Sequence, residues 1–495
     1  MTTSIHKTIA LNAVILTLIL VSAVFSAAGW IIGRQRDART GDELRVYLET
    51  RRAILDRYVE PVDPDAFLFG ALNGALESLD RHTVFMPPVE SKRFQENVSA
   101  HFEGIGVQVR LHNGWFTVFS PWRGSPAHRA GIEAGDRIVG VDGNAIPYPL
   151  DDAEFKRLID EDIRGKPGTT VVLSVSRVDA PARLDIAVRR GDVHIPSVQD
   201  ARLLSDSPAI AYLRLDGFSG GRARKTENSA AELRDAMKAL TQTLGRTPDG
   251  VILDLRGNPG GLLSQAVDVA NLFLADGVIV SSRGRAGTAT ESLSAKPDLA
   301  LWPTLPVAVL IDGGSASASE IVAGCLKDHR RAVIVGETSF GKGSVQTSQE
   351  IQLPAKSPSD PTPRTGTIKL TTAKYYTPSG KSIQDIGVAP DIDVRTHRRE
   401  DEKIQRLKER LFVEYNRQTP RPDAQAKIVG DWLALDAQLA TALTVLRDTL
   451  PLASADEKQA AIDRLSSAAK RRNAISDGLD AGVAQYVERY RVHLK

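Results

Sequence analysis

The sequence has a single cysteine, Cys325, and this scarcity removes several classes of protein from consideration. One cysteine cannot form an intrachain disulfide, a zinc ribbon or a redox pair of the Cys-X-X-Cys type. A surplus of either charge is also lacking, because 63 Lys and Arg balance 61 Asp and Glu. Without a basic excess, the composition predicts no nucleic-acid partner. The hydrophobic content of 42% is that of a globular protein, and a chain of this length is enough for about three domains.

Most familiar catalytic motifs are missing as well. The chain has no His-Glu-X-X-His zinc motif, no Walker loop and no Gly-X-Ser-X-Gly elbow, so we predict neither a metal nor another cofactor. His329 is the only histidine between Val198 and Val394, and we expect it on the surface at a helix end. A Ser-His-Asp triad is therefore a poor interpretation. Ser467 and Lys470 match the spacing of a Ser-X-X-Lys motif, but they lie in a charged helix without companion motifs.

One long uncharged run is present at the start of the chain, at residues 8–33. About 20 apolar residues cross a bilayer as a helix, so this run is long enough for one crossing. Its length favours an uncleaved anchor, whereas the short basic start and the small residues Ser26, Ala27 and Ala28 permit a cleaved signal peptide. We assign 1–33 to this anchor or signal segment and expect the rest of the chain on one side of a membrane.

Helical periodicity follows the uncharged run. Leu44, Leu48 and Leu55 recur at helical spacing among charged residues, and Asp63–Pro64 is typical of a helix start. We interpret residues 40–98 as an N-terminal helical cap or packing arm.

From about residue 102 the pattern changes to short β-runs separated by glycines. Gly104, Ile105, Gly106 and Val107 form a glycine loop before an expected edge strand. The loop is no dinucleotide fingerprint, because the third glycine of that motif is missing. Together with the Ser125-Pro-Ala stretch and the glycines that follow it, this loop resembles that of a PDZ domain, which we place at 99–192. The resemblance implies that the loop amides receive the carboxylate of a peptide that adds a strand to the sheet.

Strands and helices alternate between residues 193 and 395, which predicts parallel or mixed pairing with both faces covered. A buried strand at 250–256 ends at the loop Gly257–Gly261, and a strand at 307–311 leads into a serine-rich turn before a helix. Ser315, Ser317 and Ser319 lie at this junction, where a helix N-terminus offers unpaired N–H groups. Spacing does not choose among them, and Ser317 with Glu320 also fits a capping box.

A serine nucleophile without a histidine needs another base, and Lys342 is the candidate. It is the only charged residue between Thr338 and Gln349, and it follows an apolar strand. A lysine acts as a base only when its surroundings lower its pKa. Beyond it, the proline- and serine-rich residues 354–366 predict an exposed loop within a hairpin.

Several blocks in order along the chain, from residue 44 to residue 394, resemble the carboxy-terminal processing peptidases, or tail-specific serine proteases. The family implies a mixed α/β fold: a ClpP/crotonase-like core at 193–395 with an inserted PDZ domain and flanking helical regions. The blocks are Leu79–His82, the PDZ stretch, Asp254–Gly261, Gly314–Glu320, Gly336–Gly343 and Thr377–Gln384.

By motif position, the resemblance implies roles for individual residues. The nucleophile falls on Ser317, the lysine base on Lys342 and a supporting glutamine on Gln346. The oxyanion hole is implied to be the amide of Ala318 together with that of Gly260 or Gly261, and the alternative between the two glycines stays open. This chemistry uses no metal or nucleotide, so a chelator should leave hydrolysis intact.

Residues 396–495 are helical and charged and lie outside the resemblance. We expect this C-terminal extension to support homo-oligomer formation or to contact an adaptor protein, because amphipathic helices expose apolar faces.

The full interpretation is an endopeptidase anchored in, or exported across, a bacterial inner membrane and working in the periplasm. It captures unfolded or flexible C-terminal tails of proteins through the PDZ domain and hydrolyses them through a Ser-Lys acyl-enzyme. One alternative is a PDZ tail-binding adaptor with an inactive protease core. Another is a crotonase-like thioester enzyme, which rests on fold analogy and leaves the PDZ region unexplained.

Overall fold

The computed structural model describes residues 40–491, except 123, 178–179, 181, 222–226, 286–290, 356–358, 396–432 and 434–435. The expected membrane segment at 8–33 lies outside these residues. No helix among the described residues is long and apolar enough to cross a bilayer. The chain divides into two compact units, with the division between Phe85 and Met86.

The first unit is helical, as its periodicity predicts. Helix α1 covers residues 40–57, α2 covers Pro64–Glu77, and the short strand β1 follows at Val84–Met86. The start of α2 is fixed by the Asp63 carboxylate, which accepts a hydrogen bond from the amide of Asp65 at 2.8 Å. A proline at the first helical position suits this start because its missing N–H has no partner there anyway.

The second unit begins with a helix and a region of antiparallel strands. The sheet order is β3-β4-β5-β7-β8, with β6 beside β5, so β3 is an edge strand. Among the described residues, strands β2 and β9 pair only with each other. Along the chain, β2 precedes the strands of this sheet and β9 follows them. The elements are α3 (Pro88–Ser99), β2 (His101–Gly104), β3 (Val107–His112), β4 (Trp115–Pro121), α4 (Pro126–Arg129), β5 (Arg137–Val141), β6 (Asn144–Ala145), α5 (Asp152–Arg157), a π-helical turn (Leu158–Ile163), β7 (Thr170–Ser176), β8 (Leu184–Arg189) and β9 (Gly191–His194).

The α/β core follows, and its central sheet has the order β10-β11-β12-β15-β16-β19. All neighbours from β11 onward are parallel. The elements are β10 (Val198–Asp206), β11 (Ala209–Leu215), α6 (Ser229–Leu244), β12 (Gly250–Asp254), α7 (Leu263–Phe273), β13 (Val278–Gly284), β14 (Glu291–Ser294), a 3₁₀ turn (Pro297–Leu299), β15 (Val307–Ile311), α8 (Ala318–Asp328), β16 (Ala332–Gly336), β17 (Ser344–Leu353), β18 (Arg364–Tyr376) and β19 (Ile392–Asp393).

The strands of the central sheet are apolar throughout because both faces are covered. One face carries Leu213 and Leu253 and packs against α6, α7 and α8. A second sheet lies beside this layer, in which β18 pairs with β13 and with β17. Strands β17 and β18 form a long hairpin, and the chain between them spans residues 354–363; residues 364–366, which we expected in the loop, belong to β18.

The opposite face of the central sheet is covered by the C-terminal part of the chain. Helix α9 (Ala437–Thr449) buries Leu439, Leu443 and Leu446 there, and helix α10 (Ala455–Arg491) contributes Ala469. Each such leucine contributes about 1.5–3 kcal/mol by burial. The apolar face of α9, which we expected to seek a partner, is therefore occupied by the core of the same chain.

An ion pair joins α9 to the sheet. Arg256, directly after β12, contacts Asp254 at 2.5 Å and Asp436 at 2.8 Å, and all three side chains are buried or nearly so. Although burial alone would raise the pKa of Asp254, the Arg256 guanidinium lowers it. Removing one partner of such a group leaves an uncompensated buried charge, which costs about 3–5 kcal/mol.

Helix α3 connects the antiparallel region to the hairpin. Toward the π-helical turn, Arg93 pairs with Asp160 at 2.8 Å, and Glu96 pairs with Arg164 at 2.9 Å. Toward β18, the hydroxyl groups of Ser91 and Thr367 are hydrogen-bonded at 2.6 Å. The two regions are thus held by opposite sides of one helix.

Candidate active site

The glycine loop and the serine-rich turn lie side by side. Strands β12 and β15 are parallel neighbours, so the segments after their carboxyl ends meet at one edge of the sheet. Two hydrogen bonds join these segments: the amide of Ala316 donates to the Asn258 carbonyl at 3.0 Å, and the amide of Gly257 donates to the Asp312 carboxylate at 2.8 Å. This edge is where open α/β sheets bind ligands.

The three candidate serines differ in what their hydroxyl groups do. Ser315 is fully buried and donates to the Leu255 carbonyl at 2.8 Å, and Ser319 is fully buried and donates to the Asn258 carbonyl at 2.9 Å. Both hydroxyls hold loops together. Ser317 is 7% exposed, which leaves it the most accessible of the three.

Ser317 also has an unusual backbone. Its φ is 56° and its ψ is −110°, directly before the first residue of α8. A non-glycine residue in this region costs about 1–3 kcal/mol and is found chiefly at functional sites. The conformation turns the chain sharply from strand to helix. Among the three serines, strain and exposure single out Ser317.

The strained turn is held by Glu320, which is fully buried in α8. One carboxylate oxygen accepts from the amide of Ser317 at 2.7 Å and from the amide of Lys342 at 2.9 Å. The other accepts from the Gly341 amide at 2.7 Å and from the Ser339 hydroxyl at 2.6 Å. The Glu320 carboxylate therefore accepts from the Ser317 amide, as in the expected capping box. It also holds the loop that carries Lys342. A single oxygen joins the backbone of Ser317 to that of Lys342.

Lys342 is half-buried in the loop between β16 and β17. Its pKa is lowered, first because burial disfavours the charged ammonium and second because the positive charge of Lys369 is nearby. The carboxylate of Glu320 opposes both effects but does not outweigh them. A lowered pKa raises the share of neutral lysine near neutral pH, which is the form that accepts a proton.

Gln346 lies at the start of the same hairpin. Its side-chain nitrogen donates to the Ser344 hydroxyl at 2.6 Å, so Oε1 is the atom left to accept a hydrogen bond. Within the described part of the chain, Gln346 and the Lys342 side chain make no hydrogen bond with each other. The supporting role of Gln346 stays a prediction.

The glycine loop approaches Ser317 at Gly260. A Cβ atom on Gly260, whose φ is +100°, would lie 2.9 Å from both the Ala318 nitrogen and the Ser317 Cβ, so only glycine fits. The Gly260 amide donates to the Asn258 side chain at 2.9 Å. Among the described residues, the amides of Ala318 and Gly261 have no acceptor. Ala318 directly follows Ser317, and Gly261 directly follows Gly260 in the glycine loop.

The predicted peptide loop precedes the edge strand β3. Among the described residues, the amides of Ile105 and Gly106 have no acceptor, and Gly106 has a φ of +79°. A Cβ atom at Gly106 would lie 2.4 Å from that of Ser125, so a side chain does not fit there. Gly104 closes β2, and Val107 opens β3. Two free amides beside an unpaired strand edge suit a peptide carboxylate.

Two sequence features lie away from this site. His329 caps the far end of α8, about 18 Å from Ser317 along the helix, and its Nε2 bonds to the Val278 carbonyl at 2.7 Å. It is half-buried, not a surface residue as we expected. Ser467 and Lys470 are exposed on α10, which is consistent with a chance match.

Sequence reasoning missed two residues of the site. Glu320 appeared only as a capping residue, although it is the only charge between Gly313 and Leu326, the same signal that pointed to Lys342. Lys369 on β18 had no signal, because its proximity to Lys342 depends on the hairpin.

Comparison with known proteins identifies two family matches in the chain. The model of peptidase family S41 matches residues 209–394, and the model of a PDZ domain matches residues 104–188. A carboxy-terminal-processing protease of Bartonella bacilliformis is 39% identical over 381 residues, which are 76% of this chain and 81% of that protein. Carboxy-terminal processing protease CtpA of Bacillus subtilis is 33% identical over 383 residues, 77% of this chain and 75% of that protein.

Solved structures are similar as well. The photosystem II D1 C-terminal processing protease is 28% identical, with a TM-score of 0.39 over 70% of this chain and 86% of that one. An S41 protease from Bacteroides fragilis is 18% identical, with a TM-score of 0.49 over 79% of this chain and 96% of that one.

Proposed function

The chain belongs to peptidase family S41, among the carboxy-terminal processing proteases, and from this premise we propose that it cleaves proteins through a dyad of Ser317 and Lys342. Membership confirms the family resemblance and the mixed α/β fold with a PDZ domain that the sequence predicted. It also makes the protein a serine-type peptidase. The observation that supports the dyad is the Glu320 oxygen that accepts from the amides of both residues.

In the first half of the reaction, neutral Lys342 takes the proton of the Ser317 hydroxyl as its oxygen attacks the substrate carbonyl. The carbonyl oxygen becomes negative and is stabilised by the free amides of Ala318 and Gly261. These donors are fixed in place before the reaction, which is what makes such stabilisation effective. Lys342 then gives its proton to the leaving amine.

The second half of the reaction releases the product. Lys342, neutral again, takes a proton from water, and the hydroxide attacks the ester on Ser317. The tetrahedral intermediate collapses, the acid product leaves, and the proton returns to the Ser317 oxygen. Gln346 holds Lys342 through Oε1 in this scheme.

The substrates are unfolded or flexible C-terminal tails. The tail carboxylate binds the amides of Ile105 and Gly106, and the tail adds a strand to β3. Because this capture needs an extended chain, folded C-termini are poor substrates.

The protein works in the periplasm, held at or exported across the inner membrane by residues 8–33. The apolar length of that run supports this location. Protease added to intact spheroplasts should degrade the C-terminal region, and protection until lysis would contradict the location.

The test of the dyad is cleavage of an unfolded protein by the purified full chain in detergent. Ser317→Ala should abolish cleavage, as followed by mass spectrometry of the products. Ser467→Ala is the matched control, because Ser467 is exposed and belongs to the other serine-lysine pair of the chain. Its cleavage rate should equal that of the wild type.

Cleavage by the wild type and by Ser467→Ala, but not by Ser317→Ala, would support the proposal. Equal cleavage by Ser317→Ala would refute Ser317 as the nucleophile. If no variant cleaves, a binding assay with a C-terminal peptide tests the alternative of a PDZ tail-binding adaptor.

A further inference from the structure

A cluster of ionisable side chains lies where the PDZ region joins the protease core. His101 on β2 and His194 on β9 are directly opposite each other in the antiparallel pair, with ring centres 4.9 Å apart. Glu227, just before α6, completes a group whose ligand atoms all lie within 4.8 Å of one another. We call His101, His194 and Glu227 the connector cluster. It is separate from the Ser317 site in sequence and in hydrogen bonding.

Each histidine of the connector cluster is oriented by a carboxylate outside it. His194 Nε2 contacts Glu232 of α6 at 2.6 Å, and His101 Nδ1 contacts Asp192 of β9 at 3.3 Å. A carboxylate accepts hydrogen bonds only, so the hydrogen of neutral His194 lies on Nε2, which faces Glu232. His101 faces a carboxylate at each nitrogen, and the tautomer that could bind an ion carries its hydrogen on Nδ1, toward Asp192. The other nitrogen of each ring is then a lone-pair donor.

Among the described residues, these two buried nitrogens, His101 Nε2 and His194 Nδ1, have no partner that meets the geometric criteria of a hydrogen bond, although the Ala100 carbonyl lies near the His194 ring. His101 is only 5% exposed. Its Nε2 lies 3.2 Å from a carboxylate oxygen of the partly exposed Glu227, so in this tautomer two electron-pair donors face each other. Buried polar atoms without partners are rare, and a missing ion is one of the recognised explanations.

We propose that the connector cluster is a binding site for a divalent transition-metal ion of the zinc type, held by His101 Nε2, His194 Nδ1 and the Glu227 carboxylate. Two imidazoles and one carboxylate form a ligand set that zinc uses with water in the fourth position. Ligands about 2.1 Å from a tetrahedral ion lie about 3.4 Å apart, close to the 3.2 Å between His101 and Glu227. His194 completes the set, because the ligand atoms of all three residues lie within 4.8 Å of one another.

The surrounding carboxylates strengthen this assignment. A carboxylate that accepts from the second nitrogen of a ligating histidine fixes the ring and raises its basicity, and its loss weakens metal binding by about 10–100-fold. Glu232 is itself held, because it accepts from the amide of Val198 at 3.0 Å. The bound ion would therefore fasten the strand pair β2–β9 to α6 of the core.

Protons compete for the same nitrogens. Among the described residues, the ionisable groups that contact the two rings, apart from the rings themselves, are Asp192, Glu227 and Glu232. Metal affinity should therefore fall as the pH is lowered through the histidine range, because ligands must be deprotonated.

The experiment is a calorimetric titration of the tag-free full chain with zinc chloride after chelator treatment. All samples carry Ser317→Ala, so binding is measured independently of proteolysis and of the proposed dyad. We expect one zinc ion per chain, no binding at this site in His101→Ala, and at least about 10-fold weaker binding in Glu227→Gln. Zinc should raise the Tm by about 2 °C or more. His128→Ala is the matched control because His128 is exposed in α4.

A second readout is visible absorption after cobalt(II) is added in place of zinc. Intense bands of a four-coordinate ion that appear in the control and disappear in His101→Ala would support the site. Equal zinc binding by the control and by both cluster variants would place the ion elsewhere and overturn the proposal. Absence of zinc binding by the parent chain would overturn it too. Circular dichroism of Glu227→Gln, whose carboxylate is partly exposed, separates loss of binding from loss of folding.

Discussion

The Glu320 network and the connector cluster are both buried polar groups, yet they are completed in opposite ways. The Glu320 carboxylate is fully buried and accepts four hydrogen bonds, three of them from backbone amides. In the connector cluster, two buried ring nitrogens have no hydrogen-bond partner within the part of the chain that the structure describes. The first network needs nothing more from outside the chain. The second has two ring nitrogens that a bound cation would complete.

This difference separates two uses of buried polarity. A fully satisfied network fixes geometry, here the strained turn at Ser317 and the Lys342 loop. An unsatisfied network is costly unless a ligand or proton completes it. The Glu320 network therefore fixes the geometry of the Ser317 turn and the Lys342 loop. The connector cluster is a place where pH and metal concentration should affect the structure.

The largest expected effect is that of Lys342→Met. Loss of the general base should lower the rate constant for peptide hydrolysis by about 10²–10⁴-fold. The same change should raise the midpoint of urea unfolding at neutral pH. The reason is that the pKa of Lys342 is lowered in the fold, so its charge is less favourable there than in the unfolded chain. This gain should vanish at a pH above the ordinary lysine pKa, where both states are neutral.

Lys470→Met is the control for this test, since Lys470 is exposed on α10. It should change neither hydrolysis nor the unfolding midpoint. Lower stability of Lys342→Met at neutral pH would mean that the ammonium is favourable in the fold.

The next largest effect is expected from a Glu→Gln substitution in the Glu320 network, compared with the same substitution in the connector cluster. Glu320→Gln should lower the free energy of unfolding by about 1–3 kcal/mol. The NH₂ group that replaces one carboxylate oxygen cannot accept a hydrogen bond, and the groups that face it are donors themselves. Glu227→Gln in the presence of a chelator should cost less than about 1 kcal/mol, since its carboxylate is partly exposed. Urea unfolding measures both. Equal losses would remove the distinction between the two clusters.

The smallest effect is a change in pH dependence. Lys369→Met removes a positive charge that lowers the pKa of Lys342. The pKa should therefore rise, and the acid limb of kcat/KM should move to higher pH by about one unit or less. Lys374→Met, at an exposed position of the same strand, should leave the profile unchanged. A shift to lower pH would contradict the assignment of Lys342 as the base.

Much of this picture was predictable from the sequence because its signals are local. Strand and helix periodicity, the glycine loops and the isolated charge at Lys342 predicted the central sheet and the two segments that Glu320 joins. Spacing did not choose Ser317 from its neighbours, since that choice depends on backbone strain and on hydroxyl partners.

Other features depend on distant parts of the chain and had no such signal. An amphipathic pattern does not show which surface will cover the apolar face of a helix. The sequence therefore predicted an exposed apolar face for α9, which packs on the central sheet. His101 and His194 are separated by the whole PDZ region, and their pairing follows from the register of β2 and β9. Most donors to Glu320 are backbone amides. Because every sequence has backbone amides, no residue type signals this network.

The position of α9 also bears on the order of synthesis. A ribosome completes Arg256 and the glycine loop well before Asp436, which pairs with that arginine. One face of the central sheet likewise stays uncovered until residues 437–449 are made. The core therefore reaches its final packing only when nearly the whole chain exists. A nascent chain thus carries the serine and the lysine long before it has the helix that covers the opposite face of the sheet.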